Sequence, residues 1–274
     1  MMGEWTVVLF TVLSQMAAGA FVTLWILDQM TNKIEDETGA FAAKGIVLIT
    51  AIGLAVSTGH LGHPLEAYRA LSHLGTSWLS AEALLFGIFL VLALVYCYQW
   101  HRGLDRKLIG AAGAMVAAAA VVSSGMIYVL PARPAWNNFG PVLFFLLTAA
   151  ALGPLLIAVL FKTKNYLIAK TLYIFAGSVL VVSFVTFMLY LSMILSMGDA
   201  AALTGRNMIM SGAFWPRVLA GWLVPIGIIA YAALQKEWNL SRWITVLFLL
   251  TFIGELLGRG MFYGSATALT MFGF

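Results

Sequence analysis

Apolar residues run along this chain in long blocks, each closed by a charge, a Gly or Pro, or a Trp. Eight such blocks are read at roughly 5–27, 43–62, 78–100, 107–129, 140–161, 167–197, 212–234 and 243–264. A helix needs about 20 apolar residues to cross the hydrocarbon of a bilayer, and each block reaches or approaches that length. The pattern therefore predicts an all-α integral membrane protein of about eight transmembrane helices, occupying residues 1–274 as a single membrane domain. The first block begins almost at once, after MMGE, without the basic stretch of a secretory signal peptide. It is read as a retained first span.

Composition strengthens this picture. Hydrophobic residues make up 62% of the 274 and charged residues only 9%, with a mean hydropathy of +0.97. No room remains for a soluble catalytic domain. The net charge of +4 is spread thinly over the connections, so it supplies no nucleic-acid-binding patch. The single cysteine, Cys97, can form neither an internal disulfide nor a cluster ligand set by itself.

Charge also gives a direction. Ten basic residues fall on one face: Lys33, Lys44, Arg102, Arg106, Lys107, Lys162, Lys164, Lys170, Lys236 and Arg242. Four fall on the other, Arg69, Arg133, Arg206 and Arg217, and Arg259 lies within a span. The positive-inside rule places the ten-residue face in the cytoplasm and both termini in the periplasm of a bacterial inner membrane. Trp residues near the block ends fit an interfacial aromatic belt. The outer connections 63–77, 130–139 and 198–211 are poor in charge and rich in Pro, Asn, Trp and Gly. They suit a docking surface for an outer subunit, and equally short solvated connections.

Ionisable groups inside a bilayer cost about 2.5–3.5 kcal/mol each on insertion scales, which makes them functional candidates. His60 ends the second block in STGHLGHP, Glu82 opens the third in WLSAEALLFG, and Glu255 and Arg259 lie in the eighth in GELLGRGMFYG. Antiparallel packing of the second and third spans would bring His60 and Glu82 face to face near the outer boundary. At 1.5 Å per residue, Glu255 stands roughly 18 Å and Arg259 about 24 Å above the inner end of the eighth span. A histidine and a carboxylate at the edge of the hydrocarbon can hold a quinol hydroxyl and accept its protons. The plainer alternatives are an interfacial histidine, and a carboxylate that complements a helix dipole. Glu255 and Arg259, spaced i, i+4 with the acid first, are expected to form a structural ion pair.

His63 and His73 fall in loops and His101 on the inner side, so only His60 and His63 lie at one height. They neighbour each other on a single helix end, which argues against a bis-histidine haem. Gly254, Gly258, Gly260 and Gly264 make two small-xxx-small spacings, expected to let a neighbouring helix approach closely.

HLGHPLEAYRAL followed by GTSWLSAEALLFG, together with FGPVLFFLLTAAALGPLL and GELLGRGMFYG, resembles the membrane-anchor subunit of dimethyl sulfoxide reductase, DmsC, within the wider group of NrfD-like quinol-interacting anchors. The likeness covers nearly the whole chain. It implies two four-helix bundles, approximately 1–130 and 131–274, carrying no haem or iron–sulfur cluster. It also implies menaquinol as substrate, with a four-cluster iron–sulfur subunit and a molybdopterin catalytic subunit as partners on the periplasmic side. By the resemblance, His60 and Glu82 belong to the quinol site; His63, Glu255 and Arg259 are further candidate quinol contacts read from the residues themselves. His63 departs from the small residue expected after HLG and adds a titrating group there. The rival readings are a secondary transporter, which would favour polar groups at the midplane on interrupted helices, and a purely structural anchor with no quinol site of its own.

Overall fold

The computed structural model describes residues 2–30, 34–59, 71–161, 166–234 and 243–269. Among the described residues ten α-helices follow one another: α1 Met2–Met30, α2 Asp36–Thr58, α3 Trp78–Arg102, α4 Lys107–Met126, α5 Gly140–Phe161, α6 Tyr166–Ser196, α7 Asp199–Met210, α8 Phe214–Val218, α9 Val224–Leu234 and α10 Ile244–Gly264. A single π turn, Leu219–Leu223, joins α8 to α9. Among the described residues eight segments are long and apolar enough to cross a membrane, and there is no strand. The predicted all-α membrane architecture is thus the observed one.

Two helices form the interior. In α1 72% of the most apolar window is buried and in α5 67%, against 28% in α3, so α1 and α5 are enclosed while α3 turns a broad face to lipid. They touch backbone to backbone. A Cβ on Gly19 would collide with the carbonyl of Ala149, and one on Gly153 would collide with the backbone of Gly19. Small residues permit such an approach, and close packing drives association where no hydrophobic effect operates between helices. Pro154 follows this crossing inside α5, where its ring cannot accommodate a normal turn behind it.

The second helix starts earlier than its apolar run, because Asp36 and Glu37 occupy its first turn and complement the positive end of the helix dipole. Lys44 consequently lies in the third turn of α2 rather than at the start of the span, and is exposed. At the same end Asp28 receives two hydrogen bonds from Arg106, at 3.0 and 2.9 Å. The Arg106 guanidinium lies 3.5 Å from the centroid of Trp100, which is fully buried. Trp100 is therefore a packing residue, not a member of an interfacial belt, and buried Trp136 departs from that expectation as well. Trp5, Trp78, Trp215 and Trp243 are exposed, as a belt requires.

The opposite end is knitted together by segments that the apolar pattern reads as loops. The Tyr190 hydroxyl donates to the carbonyl of Ala135 (2.8 Å) and Arg133 Nη1 to that of Ala266 (2.8 Å). Trp136 stacks on Phe262 at 4.7 Å. The expected loop 198–211 is mostly the helix α7, which buries Ala200, Ala201, Thr204 and Met208. Its stripe is too short to register as a span and too small in side-chain volume to register as an apolar run. Thr204 accepts from the backbone N–H of Thr267 at 3.0 Å, tying α7 to the segment after α10.

The seventh span is helical from Phe214 to Leu234 but carries a π turn in its course. Pro225 has no N–H to give and its ring would crowd the preceding turn. The wide π turn ahead of it absorbs that mismatch, with the Val224 N–H reaching the carbonyl of Leu219. π turns of this kind recur at functional sites, and this one presents Trp222 and the neighbouring Arg217 inward.

Candidate functional site

Glu82 sits in the second turn of α3, whose inward face repeats as Ser80, Glu82, Phe86 and Phe89. Only 5% of Glu82 is exposed. Its Oε1 accepts a 2.5 Å hydrogen bond from Ser124 Oγ near the end of α4. Among the described residues no basic side chain forms an ion pair with it. One turn beyond Ser124, Tyr128 packs against Tyr263 with centroids 5.2 Å apart, and Tyr263 reaches Thr11 Oγ1 at 3.4 Å. Burial, and secondarily Tyr263 and Glu82, push the Tyr128 phenol well above its ordinary range. It stays a neutral hydroxyl at any physiological pH. On the lipid side of α3 an open apolar groove of about 340 Å³ runs past Leu84, Gly87, Ile88 and Val91. His60 and His63 fall outside the described residues, so their placement relative to Glu82 is not described.

A second polar group lies where α5, α8, the π turn and α10 meet. Glu255 does not pair with Arg259 as the i, i+4 spacing suggests. Its Oε1 accepts from Arg217 Nη2 at 2.7 Å, and its Oε2 from Thr148 Oγ1 at 2.6 Å. Arg259 turns the other way, giving Nη2 to Gln15 Oε1 (2.7 Å) and to Thr148 Oγ1 (3.2 Å) and lying 3.6 Å over the ring of Phe145. Local helix geometry favours the i, i+4 contact by only a few tenths of a kcal/mol. A guanidinium arriving from another helix with charge-assisted geometry outcompetes it.

The glycines of α10 are correspondingly reassigned. A Cβ on Gly258 would lie 2.8 Å from Arg217 Nε, and one on Gly254 would strike the backbone of Gly221. Gly254 and Gly258 thus make the bed for the Arg217 guanidinium, whose other face lies 3.9 Å from Trp222. Gly260 and Gly264 meet no close neighbour, so the small-xxx-small explanation does not extend to them. A cavity of about 40 Å³ opens beside the pair, reached by Thr148, Ser183, Arg217, Glu255 and Arg259.

Arg217, counted by sequence on the outer face at the start of the seventh block, is only 5% exposed. Its signal is present in FWPRVLAGWLVPIG, a guanidinium inside an apolar block, the same reason that singles out Arg259. Thr148 and Gln15 carry no comparable signal, since neutral polar residues in spans commonly bond their own helix.

The sequence profile of the DMSO reductase anchor subunit family, DmsC, matches residues 1–265. The chain belongs to that family. Three relatives are similar along 95% of this sequence and 94% of their own length. The anaerobic dimethyl sulfoxide reductase protein YnfH of Escherichia coli is 29% identical. The C subunits of anaerobic dimethyl sulfoxide reductase from Escherichia coli and from Haemophilus influenzae are each 26% identical. Anchor subunits of this family are membrane subunits of molybdoenzyme complexes, and the eight apolar helices suit that role.

Proposed function

We propose that this anchor oxidises a quinol, menaquinol by the family resemblance, beside Glu82. In this reading it delivers the electrons to an iron–sulfur partner with four clusters and, through it, to a molybdopterin subunit. The observation that carries the reading is the state of Glu82. It is buried near the end of a span, and among the described residues hydroxyls rather than cations surround it. An isolated carboxylate is expensive in such a place, and a site that must take a proton from a bound hydroxyl supplies a reason for it.

Oxidation of a quinol releases two electrons and two protons. Glu82 accepts a hydroxyl proton as the electrons leave, while Ser124 orients the carboxylate. His60, placed in the site by the resemblance, holds the other side of the ring head and takes the second proton, and both protons leave to the outer aqueous phase as the two electrons pass to the iron–sulfur partner. The apolar groove along Leu84 and Val91 gives an isoprenoid tail a surface continuous with lipid. Glu255 and Arg259, named as quinol contacts by sequence, are engaged with Arg217, Gln15 and Thr148, and act as framework in this scheme. The basic residues on one face support periplasmic termini and periplasmic partners.

The test uses the assembled complex in membranes. Glu82→Gln and His60→Ala should each lower quinol oxidation by roughly 100-fold or more, while assembly and reduction of the terminal acceptor by an artificial dye persist. Wild-type quinol oxidation in both variants would leave a purely structural anchor.

A further inference from the structure

The cavity beside Arg217 and Glu255 has a charge imbalance that the quinol scheme does not use. Two guanidiniums, Arg217 and Arg259, and one carboxylate, Glu255, reach it. Both oxygens of Glu255 are committed, one to Arg217 and one to Thr148. Arg259, 4% exposed, is held on Nη2 by two neutral oxygens, Gln15 Oε1 and Thr148 Oγ1. Arg217 Nη1 is buried and has no hydrogen-bond partner among the described residues. The cluster therefore carries one net positive charge inside apolar walls made by Phe144, Phe187, Trp222 and Phe262. Glu82 does not line this cavity and is bonded to Ser124.

Size restricts what can answer that charge. A cavity needs about 10–15 Å³ to hold one water, and an engineered cavity that takes up benzene measures about 150 Å³. At about 40 Å³ this one has room for particles of water or halide size and not for a quinone ring. A donor is also at hand. Ser183 Oγ accepts from Trp222 Nε1 at 3.2 Å, which leaves its own proton to give into the cavity.

We propose that this cavity binds one small monovalent anion of halide size, held by the positive charge of the Arg217–Arg259 pair and by the Ser183 hydroxyl. The anion neutralises the cluster and braces α5, α6, α10 and the seventh span, at its π turn, against one another. It is a structural ligand, independent of the Glu82 site.

The experiment is thermal unfolding of the full chain in detergent, in sodium chloride or bromide against sodium gluconate at equal ionic strength. Both halides should raise Tm in a saturable manner, as a ligand specific to the folded state does. Ser183→Ala, which keeps every charge, should weaken the apparent halide affinity roughly tenfold. Met208→Phe, which fills the cavity from α7, should abolish the halide shift. Equal Tm in chloride and gluconate for the wild type would overturn the proposal. So would a halide shift with the wild-type midpoint in Ser183→Ala and in Met208→Phe.

Discussion

Arg217 on α8 and Glu255 on α10 meet at 2.7 Å, with both side chains 6% exposed, and the two helices that carry them close on a bed of glycine. Removing one member of a buried pair strands the other, at a cost of about 3–5 kcal/mol. Arg217→Met should therefore reduce stability by that order, read as a lower denaturation midpoint of the purified protein in detergent. The double change Arg217→Met with Glu255→Leu should recover much of the loss, because an apolar pair of similar volume removes both desolvation costs.

Glycine substitutions should separate sharply by position. Gly153→Ala drives a methyl into the backbone of Gly19, and Gly258→Ala puts one 2.8 Å from Arg217 Nε. Each is expected to cost about 1–3 kcal/mol as overpacking. Gly264→Ala and Gly87→Ala meet open space and should be neutral within about 0.5 kcal/mol. Thermal unfolding of the four variants side by side checks the contrast.

Ser124→Ala removes the hydroxyl that donates to Glu82 while leaving the carboxylate in place. Quinol oxidation by the assembled complex should fall by roughly tenfold, a smaller loss than for Glu82→Gln, and Ser124→Thr should restore part of it. The comparison of the three variants in one quinol assay distinguishes an orienting hydroxyl from a bystander.

Membrane direction is open to labelling. In a Cys97→Ser background, Asp105→Cys in the turn between α3 and α4 should be protected from an impermeant maleimide in intact cells, and Asn137→Cys before α5 should react. The reverse pattern would invert the topology given by the basic residues.

The eight crossings are legible in the sequence because desolvation of a backbone in lipid imposes length and apolarity on each span, whatever its neighbours do. What escapes depends on neighbours. α7 looks like a loop because its buried stripe of Ala, Thr and Met is meaningful only against α6 and the segment after α10. Arg217 looks like one more outer-face cation because the bed that receives it is made by Gly221, Gly254 and Gly258, two of them on another helix. Glu255 and Arg259 illustrate the limit most clearly. Their spacing along one helix is plain in the sequence, and the choice of partner is made by two other helices. Glu82 is identified by position and is buried as expected, whereas the residue that bonds it, Ser124, is an unremarkable serine until α3 and α4 are side by side.

The burial of α1 sets an order on biogenesis. This helix leaves the ribosome before α5 and α10, yet Thr11 and Gln15 find partners in Tyr263 and Arg259 near the far end of the sequence. Until α10 arrives, Ser14 and Thr11 are bonded back to their own helix carbonyls and Gln15 Oε1 lacks its Arg259 donor. The docking of α10 onto α1, after α2, α4 and α5 have packed around it, is thus the closing step of membrane integration, and forms truncated before α10 should be the ones that quality-control proteases recognise.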